Sequence, residues 1–278
     1  MFSNKANCVI GITTRYNEYL NISVPGLAQL SNNFVLVIYN DNPDTELNKK
    51  QIRKLGYDGP LFIINNKHNV GTRQARLNII KFITDKKLNA QWGIFLDDDD
   101  MLVNLTIPCV DDDNWAIIQN MAVIKTRLID VIGFANNPQY DLTPDGKNVL
   151  MVRPHLGLAG TLIRMPVLKR MAALFDSIAE KISDIDESVN WRPPVDEMMW
   201  NAVNIIAKHD NKDALPIFMD TINYVKTALD TADEKYGQPI RPAKNSLAQI
   251  DRILEKYNAA IIAELNTDAA PAGQNITQ

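Results

Sequence analysis

Two cysteines and three histidines are all that 278 residues offer toward thiol or imidazole chemistry. Cys8 and Cys109 are too few for a disulfide framework or a cysteine-rich zinc site. Cys8, inside an apolar stretch, reads as a small buried hydrophobe. His68, His155 and His209 share no metal-ligand spacing. No apolar run approaches the ~18–20 residues that span a bilayer, so no membrane span is expected. Met1 to Ile12 carries one lysine and a short apolar stretch without a small-residue cleavage site, and reads as a first strand instead of a signal peptide. Asn21-Ile22-Ser23, Asn104-Leu105-Thr106 and Asn275-Ile276-Thr277 fit the glycosylation sequon, but without a secretory signal they are chance matches. A basic excess is lacking too. The 29 Lys+Arg stand against 33 Asp+Glu, a formal net charge of −4, whereas a generic polyanion-binding domain has a pI above ~9.

Hydrophobic residues make up 46% and charged residues 22%, which suits a globular protein with a large core. A chain of ~250 residues approaches the limit for one core, so length allows one large α/β domain or two small ones. No internal repeat appears, and no linker divides the chain. Short apolar runs alternate with polar or helical segments in the first half, the pattern of a βαβ unit. Cys8–Thr14, Val35–Tyr39, Leu61–Ile64 and Trp92–Leu96 read as strands. Thr72–Lys87 has helical periodicity through Ala75, Ile79, Ile80 and Ile83. Each strand runs into a polar loop: Arg15-Tyr16-Asn17-Glu18, Asn40-Asp41, Asn65-Asn66 and Asp97-Asp98-Asp99-Asp100. In an open parallel sheet such loops gather on one edge, where ligands bind.

Further on, Ala116–Ile118, Ala122–Ile124 and Leu158–Ile163 read as strands around a loop holding Asn136-Asn137-Pro138 and Pro144-Asp145-Gly146. A helix is expected over Pro166–Ile182, with proline in its first turn. Arg192-Pro193-Pro194 precedes a second helix over Asp196–Ala207, then a strand over Ile217–Val225. A long amphipathic helix is expected over Ser246–Leu265, with Ser246 as N-cap.

The acidic run is the most distinctive feature. Four adjacent carboxylates repel one another unless a cation or solvent relieves them. In an extended segment Asp97 and Asp99 would share one face and Asp98 and Asp100 the other. Two carboxylates on one face suit a hard divalent ion such as Mg²⁺ or Mn²⁺. A calcium-binding EF-hand loop fails, because Leu102 and Pro108 fall where it needs glycine and glutamate.

In order, the chain presents a strand then Arg15-Tyr16-Asn17-Glu18, a strand then Asn40-Asp41, Asn69-Val70-Gly71 with Ala75-Arg76 beyond, and Leu96 before the Asp run. This resembles the nucleotide-sugar-dependent glycosyltransferases of the GT-A fold, specifically the family 2 group. The resemblance covers about the first 100 residues; Gly157-Leu158-Ala159-Gly160-Thr161-Leu162 and Asp196-Glu197 look like the family's acceptor-side glycine segment and base motif. It implies an α/β fold, a Rossmann-like, mixed and mainly parallel sheet flanked by helices, with a C-terminal helical extension. It also implies a metal-dependent, inverting transfer of a hexose from a UDP-sugar, with UDP-glucose the expected donor and Mn²⁺ or Mg²⁺ the ion.

By the same resemblance Thr14, Glu18 and Asp41 line the nucleoside pocket, with Asp41 accepting from the base. Arg15, Asn69, Gly71 and Asp98 belong to the donor pocket, and Arg76 faces the base or the diphosphate. Asp97 approaches the ribose, and Asp99 together with Asp97 holds the metal. Asp196 and Glu197 are the candidates for the base that takes the acceptor's proton. Three departures stand out. The second loop lacks the family's paired acids and Gly-Ser, the Ala75-Arg76-Leu77-Asn78 segment is interrupted by Leu77, and the base motif reads Asp-Glu instead of Glu-Asp. The last leaves open which of the two acids is the base.

The resemblance divides the chain into a nucleotide-sugar-binding half (1–103), an acceptor-side half of the same domain (104–240), a C-terminal helix (241–266) and a disordered tail (267–278). The acceptor is a hydroxyl, either on a glycan or on glucosylated hydroxymethylcytosine in DNA. The second option follows from a fainter likeness to phage enzymes that glucosylate modified cytosine, with Arg153, Arg164, Lys169 and Arg170 as candidate phosphate contacts. A cytoplasmic location is expected, the host cytoplasm if the chain is phage-encoded; oligomeric state stays open. Two rivals remain, a sugar nucleotidyltransferase on a related fold and a non-catalytic nucleotide-binding protein. The first would carry a Gly-rich phosphate loop after the first strand, where this chain has Thr13-Thr14-Arg15-Tyr16-Asn17-Glu18.

Overall fold

The computed structural model of the chain describes residues 7–30, 34–124, 149–154, 156–187, 195–227 and 247–268. Nine strands form one sheet: β1 (Cys8–Thr14), β2 (Phe34–Asn40), β3 (Leu61–Asn65), β4 (Trp92–Asp97), β5 (Met101–Leu102), β6 (Asn114–Ile124), β7 (Val149–Pro154), β8 (Leu162–Arg164) and β9 (Leu215–Thr227). Their order is β3-β2-β1-β4-β8-β6-β9-β5, with β7 paired to β6 off this path. The ladders among β1–β4 and between β6 and β9 are parallel. Those made by β8, β7 and β5 are antiparallel. The result is a mixed, mainly parallel, Rossmann-like sheet flanked by helices, the arrangement that the family resemblance implied.

Helices α1 (Leu20–Ala28), α2 (Lys49–Lys54), α3 (Gly71–Asp85), α4 (Met165–Ser177), α5 (Ala179–Glu187), α6 (Val195–Asp210) and α7 (Leu247–Asp268) flank the sheet. The period of two in β1 decides the layers. Cys8, Ile10 and Ile12 join Leu20, Val24 and Leu27 of α1 and Ile52 of α2 in one core. Val9 turns the other way, into a core with Ile79, Ile80 and Ile83 of α3, Leu168 and Met171 of α4, and Met198 and Val203 of α6. A fully buried aliphatic side chain contributes about 2 kcal/mol of transfer free energy, so two cores of this size fix the sheet edge firmly. Among the described residues no helix is long and apolar enough to cross a membrane.

Three expectations change. The strands expected at Ala116–Ile118 and Ala122–Ile124 are one continuous β6. The polar Gln119-Asn120 pair between them does not break it. The register against β9 shifts there instead, and the buried Gln119 amide donates to the Thr106 carbonyl at 3.2 Å. The helix expected over Pro166–Ile182 is two, α4 and α5, parted at Ile178. There Ser177 turns its hydroxyl back onto the Leu174 carbonyl at 2.8 Å, a local bond that competes with helix continuation. The strand expected over Leu158–Ile163 is only Leu162–Arg164. Gly160 holds φ +76°, and a Cβ there would meet the Tyr224 ring at 2.6 Å. That left-handed turn keeps Gly157–Thr161 out of the ladder, except for a bridge between Ala159 and Phe95. The loop with Asn136–Gly146 and the Ser246 cap lie outside the described residues, as does the tail beyond Asp268.

Candidate active site

The C-terminal ends of β1, β2 and β4 reach one sheet edge in register, Thr13 opposite Tyr39 on one side and Asp97 on the other. β6 runs the same way as β9, which ends there with Lys226 opposite Val123. The polar loops gather as their topology requires, and their carboxylates then go separate ways.

Asp41, just past β2, is buried. Its Oδ1 accepts from the Val70 amide at 2.9 Å and from Asn66 Nδ2 at 3.3 Å, and its Oδ2 from the Gly71 amide at 2.9 Å. These two amides begin α3, so the carboxylate caps a helix from another loop, where negative charge is favoured. Gly71 has φ +78° with open space around its missing Cβ, so backbone conformation alone selects glycine there. Behind it, Asn40 Nδ2 donates to the Thr45 carbonyl at 2.6 Å and to Asn65 Oδ1 at 2.9 Å.

The acidic run is a turn and not an extended segment. The Asp100 amide donates to the Asp97 carbonyl at 3.2 Å. The alternation expected of Asp97/Asp99 and Asp98/Asp100 therefore does not hold. Turning separates four like charges, and each finds its own surroundings. Asp97 Oδ1 accepts from Arg76 Nη2 at 2.8 Å. Asp98 faces the buried Thr14 hydroxyl, without a well-directed hydrogen bond between them. Asp100, 2% exposed, accepts from the Tyr224 hydroxyl. Asp99 lies nearest in charge to Asp97 and Lys226.

Burial first, and then Asp97, push the Asp99 carboxyl up to about 6. Burial and the charge of Asp99 raise Asp98 well above the usual carboxylate range, and the same causes raise Asp100. Unfavourable ionisation at successive residues is relieved by a cation. Among the described residues no three His, Cys, Asp or Glu side chains converge as a preformed cage. The donor chemistry at Asp97 and Asp99 suits Mn²⁺ or Mg²⁺.

Arg76, one turn into α3, is 1% exposed. Its Nη1 donates to Asp196 Oδ1 in the first turn of α6, while its Nη2 holds Asp97. Burial would lower the guanidinium's pKa, but the two carboxylates outweigh it and raise it. Arg76 also lies over the Phe95 ring, 5.8 Å from its centroid. It therefore joins the end of β4 to the start of α6 instead of projecting outward.

The structure thus brings Thr14, Arg76, Asp97, Asp98, Asp99 and Asp196 together. Asp41 and Gly71 form the supporting corner beside them. Arg15, Glu18 and Asn69 are exposed at the rim, with the Arg15 guanidinium 5.5 Å from the Tyr16 ring centroid. Glu197 is exposed on α6. Trp200, a candidate sugar platform, packs instead against Trp115 at 5.4 Å between centroids. Arg164, a candidate DNA contact, pairs with Trp92 at the start of β4. It lies 4.4 Å from the Trp92 ring centroid and donates to the Asn114 and Asp111 carbonyls. The acidic run follows the other end of β4, about 17 Å away along a strand. Arg170 is paired with Asp210 at 3.2 Å.

Sequence reasoning missed Tyr224 and Lys226. The expected strand stopped at Val225, one residue before the lysine; the alternation Tyr-Val-Lys was the available signal.

No protein-family model and no curated protein sequence matches the chain. Its fold is similar to that of several solved structures. TarS 1–349 from S. aureus matches over 80% of this chain and 60% of its own, at 13% identity and TM-score 0.44. The mannosyltransferase PcManGT from Pyrobaculum calidifontis, in complex with GDP-Man and Mn²⁺, matches over 97% and 76% at 10% identity and TM-score 0.44. A 4-diphosphocytidyl-2C-methyl-D-erythritol synthase matches over 90% and 99% at 9% identity and TM-score 0.38. The chain therefore spans 60% of the TarS length. Likeness at this level concerns fold, and function has to be argued from the side chains.

Proposed function

We propose that this chain is a metal-dependent glycosyltransferase that moves a hexose from a UDP-sugar to a hydroxyl acceptor with inversion. The observation that carries the reading is the Asp97–Arg76–Asp196 bridge beside the acidic run, at the ligand edge of the parallel sheet. It supports the reading because one guanidinium holds Asp97, an expected metal ligand, and Asp196, a candidate base, to the same edge.

A divalent ion held by Asp99 and Asp97 would supply positive charge against the departing diphosphate. The chain's own residues do the rest. Asp98 and the Thr14 hydroxyl close the floor between β1 and β4. Arg15, Glu18 and Asn69 border the nucleoside side, over the corner that Asp41 fixes. Asp196 accepts the proton of the acceptor hydroxyl as its oxygen bonds to the sugar's anomeric carbon. The bond from that carbon to the phosphate oxygen breaks, and the electron pair leaves with UDP. Asp196 is favoured over Glu197 because Arg76 holds its carboxylate in place at the sheet edge, whereas Glu197 is exposed on α6.

UDP-glucose is the donor of first choice. The acceptor reading is a sugar hydroxyl of a glycan. A glucosylated hydroxymethylcytosine acceptor would need phosphate contacts near the run, and Arg164 is committed at the opposite edge.

The test is a donor-and-acceptor screen by mass spectrometry with UDP-glucose and Mn²⁺, glycans and glucosylated hydroxymethylcytosine DNA in parallel, and Asp99→Ala as control. Hexose transfer, or donor hydrolysis that needs both Mn²⁺ and Asp99, supports the reading. Full metal-dependent activity in Asp99→Ala overturns the metal assignment. Pyrophosphate release from UTP and a sugar phosphate indicates a nucleotidyltransferase instead, and tight donor binding without turnover a binding protein.

A further inference from the structure

Lys226, near the C-terminal end of β9, is a cation of this edge that the proposed reaction leaves without a task. β5 pairs antiparallel with β9, Met101 opposite Val225 and Leu102 opposite Tyr224. Asp100 directly precedes β5 and Lys226 directly follows Val225, so the pairing of Met101 with Val225 brings the two together at the end of the ladder. Alternate residues of a strand share a face, so Lys226 emerges on the side from which Tyr224 donates to Asp100. Its ammonium lies in the field of Asp100, Asp97, Asp196 and Asp99 together, and these outweigh its partial desolvation. A lysine stem of four carbons lets the charge move among such groups, where a planar guanidinium would be fixed. Arg76, buried and held at both ends, has no such freedom.

We propose that Lys226 is a positioning residue for the donor's diphosphate, an internal counter-ion that makes the divalent ion and the diphosphate bind as a pair. This rests on the donor-site reading above. While the site holds neither, Lys226 balances part of the run's charge and opposes a divalent ion arriving alone. When the diphosphate arrives, the ammonium transfers to its non-bridging oxygens and vacates the carboxylates, which the divalent ion then takes. Each ligand raises the affinity for the other, as linkage between two sites requires.

The experiment measures two affinities on the full chain, wild type beside Lys226→Met and Lys226→Arg. Mn²⁺ alone is titrated and followed by the electron paramagnetic resonance of the unbound ion. UDP and inorganic pyrophosphate are then titrated calorimetrically at saturating Mn²⁺. Lys226→Met is expected to tighten Mn²⁺ alone about tenfold and weaken both diphosphates about tenfold, the size of a typical coupling. Lys226→Arg is expected to recover most of the diphosphate affinity. Shifts of opposite sign separate this role from a structural one, because damage to the edge weakens both ligands. Equal weakening of both, or no change in either, overturns the proposal. Wild type that binds pyrophosphate with Mn²⁺ but not UDP removes the nucleoside-diphosphate reading and leaves the Lys226 measurement standing. Wild type that binds neither overturns both.

Discussion

The loop after β2 and the turn after β4 lie at the same sheet edge and both rely on aspartate, yet their carboxylates meet opposite surroundings. Asp41 is buried against three N–H donors, two of them the first amides of α3. Asp97 to Asp100 stand among each other's charges, and burial with like-charge repulsion raises three of the four. A carboxylate satisfied by backbone donors stabilises the fold and offers little to a ligand. One left in the field of its neighbours costs stability and invites a cation. The difference teaches where along this edge structure ends and function begins, and substitutions at each loop test it.

The largest effect is expected from the unsatisfied side. Asp99→Ala should lower metal-dependent turnover by about a hundred- to a thousand-fold, the scale seen when one preorganised charge interaction is removed. Its metal-free melting temperature should stay level or rise, because a repelling charge has gone. Mn²⁺ should raise the melting temperature of wild type by mass action and leave the variant unmoved. Thermal scans with and without Mn²⁺, read beside turnover, check this. A destabilised Asp99→Ala would mean that the run is structural, and the contrast with Asp41 would fail.

Arg76 lies between the two kinds of carboxylate environment. Arg76→Ala leaves Asp97 and Asp196 facing each other without the guanidinium and removes a packed side chain over the Phe95 ring. Breaking a buried pair typically costs about 3–5 kcal/mol. The lower value, about 3 kcal/mol, is expected here, because the two acids keep 26% and 40% side-chain exposure and can hydrate. Urea unfolding measures it.

On the satisfied side, Asp41→Ala strands the Val70 and Gly71 amides at the head of α3. Leaving buried donors without partners costs about 2 kcal/mol in total. Asp41→Asn should fall between, since one oxygen remains to accept. Hydrogen exchange at the Val70 and Gly71 amides is the sharper readout, and both should lose protection in Asp41→Ala.

Much of this edge is legible in the sequence, for a physical reason. β1 to β4 are continuous apolar runs closed by polar clusters, Asn- and Asp-rich after β2, β3 and β4, so strand, boundary and edge come from one pattern. The membership of Arg76, Asp97, Asp99 and Asp196 in one site follows from that topology with the family resemblance. What the pattern does not contain is direction. Four identical aspartates carry no information about which turns to Arg76, which to Thr14 and which to Tyr224; the turn closed by the Asp100 amide decides that. Nor does it show that Asp41 is taken up by α3, because the partners are backbone amides, present at every residue alike. Lys226 stays hidden because it meets the run only through the β5–β9 pairing, which two short residues of β5 hardly announce.

The smallest effect tests the corner most finely. Gly71→Ala adds a methyl into open space, so only the left-handed backbone at φ +78° opposes it. An L-residue there costs about 1 kcal/mol, and for a chain of this size that lowers the melting temperature by roughly 2–4 °C. The amide survives the substitution, so the Asp41 bond should survive too. The Asp41→Ala and Gly71→Ala costs then add, because one removes a hydrogen-bond acceptor and the other strains a torsion. If α3 instead relaxes its first turn to relieve the strain, the amides leave Asp41 in the single variant already. The double variant would then be more stable than the sum predicts, a coupling that a double-mutant cycle resolves. Additivity would establish that Asp41 and the left-handed turn act as separate supports for the head of α3. Coupling would make them one device, and the whole corner, not its carboxylate, the counterpart to the acidic run.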